Sequence, residues 1–190
     1  MVDIPKIYED TANWWYHYYA EGEDARIEEL SPKHFALSNK KATPDFENLV
    51  YDYGICHPQI GVTVTPQKSI VLIKTTVGCS SSGPEYVAKS PYIVGYFRVG
   101  KIDANRELIH MDPTDSCLLL ENPIRLDSTL AKELFTKKPE AYWEGSDLFV
   151  RRVGSTLRNK RATPAELEVA LREMVKRVNH GAKNYLGKKI

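Results

Sequence analysis

The chain lacks most of the features that assign a function at sight. No apolar run approaches the roughly 18 residues of a membrane span. The opening segment, MVDIPKIYEDTANWWYHYYAE, carries acids where a signal peptide needs a basic start. The expectation is a cytoplasmic protein with no membrane partner. Only three cysteines occur, Cys56, Cys79 and Cys117. None has the Cys-x-x-Cys spacing of a zinc or redox site, and an odd number cannot close a disulfide framework. Also absent are the Gly-x-x-x-x-Gly-Lys-Ser/Thr phosphate loop, Gly-x-Gly-x-x-Gly, Gly-x-Ser-x-Gly and His-Glu-x-x-His. The His-x-Glu and Pro-Cys-x-x-Cys halves of a zinc deaminase are missing as well. No cofactor or metal is therefore expected. Cys56-His57 and His110-Met111-Asp112 place metal-capable groups side by side, but neighbours one or two apart in a strand point to different places or along one face without a third ligand.

What is present is an ordinary globular composition: 190 residues, 42% hydrophobic and 27% charged. A chain of this size buries about 70% of the surface it exposes when unfolded, enough for a real core. The net charge of +1 argues at first against a polyanionic partner. Residues 151–190, however, hold eleven cations against three acids (+8), and residues 1–150 hold fifteen against twenty-two (−7). Such asymmetry marks a candidate polyanion-binding end. Surface ion pairing would produce the same totals.

Periodicity and punctuation divide the chain into one domain, 1–190, with three parts. Residues 1–50 read as an N-terminal helical extension. In it the aromatic segment 7–21 pairs Trp14 with Tyr18 and Trp15 with Tyr19 at helical spacing. Residues 51–161 read as a β-barrel core with strands at 60–65, 69–77, 92–103, 116–121 and 148–153. No helix between them is long enough for a βαβ crossover, so the sheet is expected to be mixed and mainly antiparallel. A short helix is expected at 127–135. Residues 162–181 read as a C-terminal helix with a basic tail. Its start signal is complete: Thr163 as N-cap, Pro164 in the first turn and Glu166 reaching back as a capping box. Leu167, Ala170, Leu171, Met174, Val175 and Val178 then form an apolar stripe that must lie on the sheet. The fold class is α+β, a small mixed barrel flanked by helices.

Within the strand 92–103, alternation places Tyr92, Val94, Tyr96 and Arg98 on one face and Ile93, Gly95, Phe97 and Val99 on the other. Gly95 marks either a bulge or a close approach by a ligand. The succession VLIKTTVGCSSSGPEYV, YIVGYFRVGKI and SCLLLENPIRLD resembles the PUA-like superfamily, within it the EVE, YTH and ASCH domains and the nucleotide-modification-associated domains. The resemblance spans roughly residues 51–161. It implies a small, partly open β-barrel flanked by helices that binds RNA or DNA, often with one modified base in an aromatic-lined pocket. The chain departs from the EVE pattern in having no tryptophan near the first strand; its tryptophans are Trp14, Trp15 and Trp143.

Reading an extruded base takes flat side chains for stacking, each worth about 1–3 kcal/mol, and partners for the base edge. Candidates for such a pocket are Tyr51, Tyr53, His57, Thr75, Thr76, Ser80, Ser81, Tyr92 and Tyr96. Candidates for phosphate binding are Arg151, Arg152, Arg158, Lys160 and Arg161, which lead with Ser155, Thr156 and Asn159 into a helix N-terminus. The expected function is nucleic-acid binding, to DNA or RNA, without catalysis, alone or beside a nuclease or motor partner. Two alternatives stay open at this point. One is a nucleotide- or small-ligand-processing enzyme built on Cys79 and His57. The other is a protein-interaction module using the aromatic N-terminal segment.

Overall fold

The computed structural model of the chain describes residues 3–19, 44–45, 48–52, 58–76, 91–118, 124–126, 128–134 and 160–179. These form an eight-stranded mixed sheet curled into a half-barrel, with three helices. The strands are β1 (Asn13–Tyr19), β2 (Pro44–Asp45), β3 (Val50–Asp52), β4 (Ile70–Thr76), β5 (Pro91–Asp103), β6 (Leu108–Leu118), β7 (Ile124–Arg125) and β8 (Lys160–Ala162). The helices are α1 (Pro58–Thr63), α2 (Ser128–Leu134) and α3 (Pro164–Asn179). The sheet runs β2-β3-β6-β5-β4-β1-β8, with β7 pairing the start of β5. Only β1 and β4 pair in parallel; every other described pairing is antiparallel.

Each face of the sheet carries its own core. On one side Trp14, Tyr51, Val71, Ile73, Tyr92, Phe97, Val99 and Ile109 pack with Ile60 and Val64, which belong to α1 and the residues just after it. On the other side Trp15, Ile70, Leu72, Ile93, Tyr96 and Cys117 pack under α2 and α3, whose contribution includes Leu134, Leu167, Leu171 and Met174. The apolar run Ile70-Val71-Leu72-Ile73 suits this position, since a strand covered on both faces has no polar alternation to show. The α3 stripe lies on the sheet as its spacing predicts. Its capping box is formed in both directions: Glu166 N donates to Thr163 Oγ1 and Thr163 N donates to Glu166 Oε2, each at 3.2 Å. Trp15 Nε1 donates to that same Glu166 Oε2 at 3.4 Å, tying the cap to the sheet.

Two expectations are corrected here. The aromatic segment is not a helix: Asn13–Tyr19 is a strand inside the sheet, parallel to β4 and antiparallel to β8. Trp14 and Trp15 therefore enter opposite cores at 7% and 0% exposure, as strand neighbours must. Tryptophan and tyrosine favour strands, and pairing outweighed the i,i+4 coincidence. This segment is part of the core; residues 20–43 of the expected extension lie outside the described residues. The second correction concerns the expected strand at 60–65, which is the short helix α1. Ile60 and Val64 meet one core from a single helical face, whereas Val62 is 83% exposed. The alternation Ile60-Val62-Val64 imitated a strand.

The β-strand at 116–121 begins earlier than its apolar part suggests, because β6 starts at Leu108; residues 119–121 lie outside the described residues, as does the expected strand at 148–153. In β6, residues 112–115 stand opposite the single residue Arg98, since Phe97 pairs with Ser116 and Val99 with Met111. Asp112 closes this arch by accepting from Thr114 N at 2.8 Å and Thr114 Oγ1 at 2.7 Å. Burial by itself would raise the Asp112 carboxyl, but these bonds, the Asp115 amide and the Arg98 charge outweigh it and hold the group below the ordinary carboxylate value. Gly100 is the opposing bulge. A Cβ there would sit 3.1 Å from His110 O and 3.2 Å from Asp112 N, both backbone atoms.

The arch delivers Asp115 to the buried Arg98. Arg98 Nε donates to Asp115 Oδ2, and Tyr96 OH donates to Asp115 Oδ1 at 3.1 Å. The rest of the guanidinium donates to Lys68 O at 3.0 Å and Lys6 O at 2.8 Å. One side chain thus joins the N-terminal segment, the turn before β4 and the β6 arch. Arg98→Met should leave Asp115 and two carbonyls without that donor. Because the Asp115 side chain is 29% exposed, the loss should fall at the low end for a broken buried pair, about 3 kcal/mol. Urea unfolding followed by tryptophan fluorescence measures it, and adding Asp115→Asn should return part of the loss. A change below about 1 kcal/mol would show that the network is not stabilising.

Candidate functional site at one end of the sheet

The face assignment along β5 differs from simple alternation, and this decides which tyrosines lie together. Ile73 pairs with Gly95 but Lys74 pairs with Ile93, so Val94 is an extra residue in β5. An inserted residue turns every later side chain to the opposite face. Tyr92 and Val94 accordingly share a core with Phe97 and Val99, while Ile93 shares the other with Tyr96. The predicted grouping of Tyr92 and Val94 with Tyr96 and Arg98 is corrected; the bulge lies at Val94, and Gly95 beside it is paired with Ile73 and Leu118.

The candidate base-pocket residues divide in consequence. Tyr51 and Tyr92 meet the same core, at 0% and 2% exposure; the Tyr51 ring lies 6.0 Å from that of Phe97, tilted by 56°. Tyr96 is on the opposite face, bonded to Asp115. Burial first, then the Asp115 charge, raises its phenol far above the ordinary value, so it stays a protonated donor. The buried rings of Tyr51 and Tyr92 offer no open face for stacking. Tyr53, His57, Ser80 and Ser81 lie outside the described residues, as do Arg151, Arg152, Arg158 and Cys79.

Thr75 and Thr76 fall where four strands meet. In register across the sheet, Thr75 stands between Tyr18 of β1 and Tyr92 of β5, and Tyr92 in turn faces Arg125 of β7. Thr76 stands between Tyr19 and Pro91. The row Tyr18-Thr75-Tyr92-Arg125 marks the end at which the parallel strands β1 and β4 both finish. In β8, Arg161 pairs with Trp14 and Lys160 with Trp15, so Lys160 is the β8 residue nearest that end. Arg161 is exposed. Tyr18, Tyr19 and Arg125 are members of this cluster that sequence reasoning missed. The aromatic run fits helical spacing as well as strand alternation, and nothing in the chain announces that a two-residue strand will set Arg125 beside Tyr92.

Other chemistries find less to work with. Among the described residues no group of three or more His, Cys, Asp or Glu could hold a metal ion. His110 is half-buried, while its neighbour Met111 points into a core. Cys117 is buried, and burial pushes its thiol up to about 12, away from nucleophilic behaviour. The interaction surface expected of the N-terminal segment loses Trp14 and Trp15, both of which are buried. No described helix is long and apolar enough to cross a membrane. Comparisons of the chain with family models, with curated proteins and with solved structures found no match.

The Cys117 thiol supplies a test of the second core. A folded-state value of about 12, above that of the unfolded thiol, means that the unfolded chain releases this proton first as pH rises. The Cys117 contribution to stability should therefore be constant at neutral pH and decline once the pH passes the ordinary thiol range, toward 12. Native protein treated with iodoacetamide at mildly alkaline pH should show no modification of the Cys117 peptide by mass spectrometry, and full modification in urea. Rapid native labelling would contradict the packing of α3 on the sheet.

Proposed function

We propose that this chain is a nucleic-acid-binding domain that reads a base at the end of the half-barrel where β1 and β4 finish. The observation that carries the reading is the row Tyr18-Thr75-Tyr92-Arg125, bordered on the far side by β8 with Lys160 and Arg161. Residue types suited to base edges, Tyr18, Tyr19, Thr75 and Thr76, are gathered there at the ends of β1 and β4, while the buried Tyr92 lines the row from within and cations stand at both margins. The C-terminal quarter that β8 belongs to carries the +8 charge. Backbone attraction from such a segment is independent of sequence and positions the strand, while contacts at the row discriminate the base.

The curled mixed sheet with flanking helices is compatible with the PUA-like resemblance, and that resemblance supports a modified or extruded base as the preferred ligand. Because Tyr51 and Tyr92 are buried among core residues, base discrimination in this reading belongs to the ends of the strands rather than to the interior of the sheet.

Fluorescence anisotropy with dye-labelled DNA and RNA oligonucleotides, unmodified and base-modified, tests the reading across a salt series. Affinity should fall steeply as salt rises, and charge reversal at Arg158 and Arg161 together should weaken binding by roughly tenfold or more, to a similar degree for every sequence. Substituting Thr75 or Thr76 should change the ranking among bases more than the overall affinity. Absent or salt-independent binding across the panel would sink the proposal.

A further inference from the structure

Burial changes abruptly where β1 begins. Asn13 is 1% exposed and Trp15 0%, whereas none of residues 3–12 is buried and none belongs to a strand or helix. The segment nevertheless lies on the body at definite points. Arg98 Nη2 donates to Lys6 O at 2.8 Å, and Ile7 packs against the core under α2 and α3. Lys68 Nζ lies 3.7 Å from Asp10 Oδ2. The Tyr8 ring sits among three cations, its centre 4.9 Å from Lys6 Nζ, 5.8 Å from Lys68 Nζ and 5.9 Å from Arg98 Cζ. Thr11 folds the segment on itself, donating to Tyr8 O from N at 3.4 Å and from Oγ1 at 2.8 Å.

These attachments are few and each is weak. Among the described residues, the bond from Arg98 is the one hydrogen bond that joins residues 3–10 to the sheet and its turns. The Lys68 and Asp10 side chains are 46% and 72% exposed, so water and salt compete with their pairing. Cation–π contacts with solvated lysines add little each. A segment with so few buried contacts opens at a lower free energy than the body on which it lies. Its base, by contrast, is fixed: Asn13 Oδ1 accepts from Ile70 N at 3.0 Å, inside the sheet. Arg98 is also held without the segment, because Asp115 takes Nε and Lys68 O takes Nη1.

We propose that residues 3–12 form a strap that opens as a unit, hinged at Thr11 and Ala12, while the sheet stays folded. Opening withdraws Lys6 O from Arg98 Nη2 and releases Lys68 from Asp10 and Tyr8. Water then replaces the carbonyl on Nη2, so the exposed cation keeps both its donors and its charge answered. Arg98 pairs with Ile70 at the start of β4, whereas Thr75 and Thr76 lie at its finish. The strap is thus a reversible cover over the end of the sheet remote from the candidate binding row, and the two ends work independently.

The test uses the full chain carrying Ile7→Cys, labelled with iodoacetamide and read peptide by peptide by mass spectrometry across urea concentrations below the unfolding transition. The thiol at position 7 should react about tenfold or more slowly than in the unfolded chain, yet about a hundredfold or more faster than Cys117, at a rate that urea hardly changes. Adding Tyr8→Leu or Lys68→Met should each speed labelling at position 7 about two- to fivefold and leave Cys117 protected. Labelling at position 7 that matches Cys117 in rate and in urea dependence would overturn the proposal, since the segment would then open only with the whole fold. Labelling at the unfolded rate, unmoved by either added substitution, would overturn it in the other direction by showing that no closed strap exists.

Discussion

The guanidinium of Arg98 is the junction on which the described architecture depends. Burying a cation is costly unless its charge and its donors are both answered. Asp115 answers the charge; the carbonyls of Lys6 and Lys68 take donors that a carboxylate alone would leave unused. Those partners come from three segments distant in sequence. Their convergence fixes how the N-terminal segment enters β1, how the turn enters β4 and how far β6 must bow out to return in register. Tyr8 extends the junction outward, with Lys6 Nζ 4.9 Å and Lys68 Nζ 5.8 Å from its ring centre.

A second constraint is the double covering of the sheet. A strand buried on both faces cannot tolerate a register error, since a slip would exchange the two cores at once. Bulges at Val94 and Gly100 and the arch at 112–115 correct the register locally while adding the curvature of a half-barrel. The Val94 bulge also separates the tyrosines: Tyr92 faces the α1 side, and Tyr96 is turned to Asp115 and the helices. At the end of the sheet the positions of Tyr18, Thr75, Tyr92 and Arg125 fall in one row across four strands.

Several elements were legible from local pattern because local physics forms them. The α3 capping box involves residues three apart, and its apolar stripe follows helical geometry wherever the chain goes. The strands β4 and β5 were equally plain in their β-branched and aromatic runs. The aromatic segment and the Ile60-Val62-Val64 alternation were misread because each fits two periodicities, and only a partner chooses between them. The first half of β6 was passed over because Asp112, Pro113 and Asp115 punctuate it; they are the arch that Arg98 requires. Of the candidate site, Thr75, Thr76, Lys160, Arg161 and Tyr92 were named in advance, whereas Tyr18, Tyr19 and Arg125 join them only through pairing.

The amino-acid sequence by itself determined the cap and stripe of α3, the strand character of β4 and β5, the concentration of positive charge in the last forty residues and the absence of the common nucleotide and metal motifs. These depend on neighbours within a few residues or on simple counts. Only the tertiary structure decided that Trp14 and Trp15 anchor opposite cores, that Tyr96 parts from Tyr92, and that Arg125 stands across from Tyr92. Each of those outcomes is set by register between strands far apart in the chain, and register is a property of pairs.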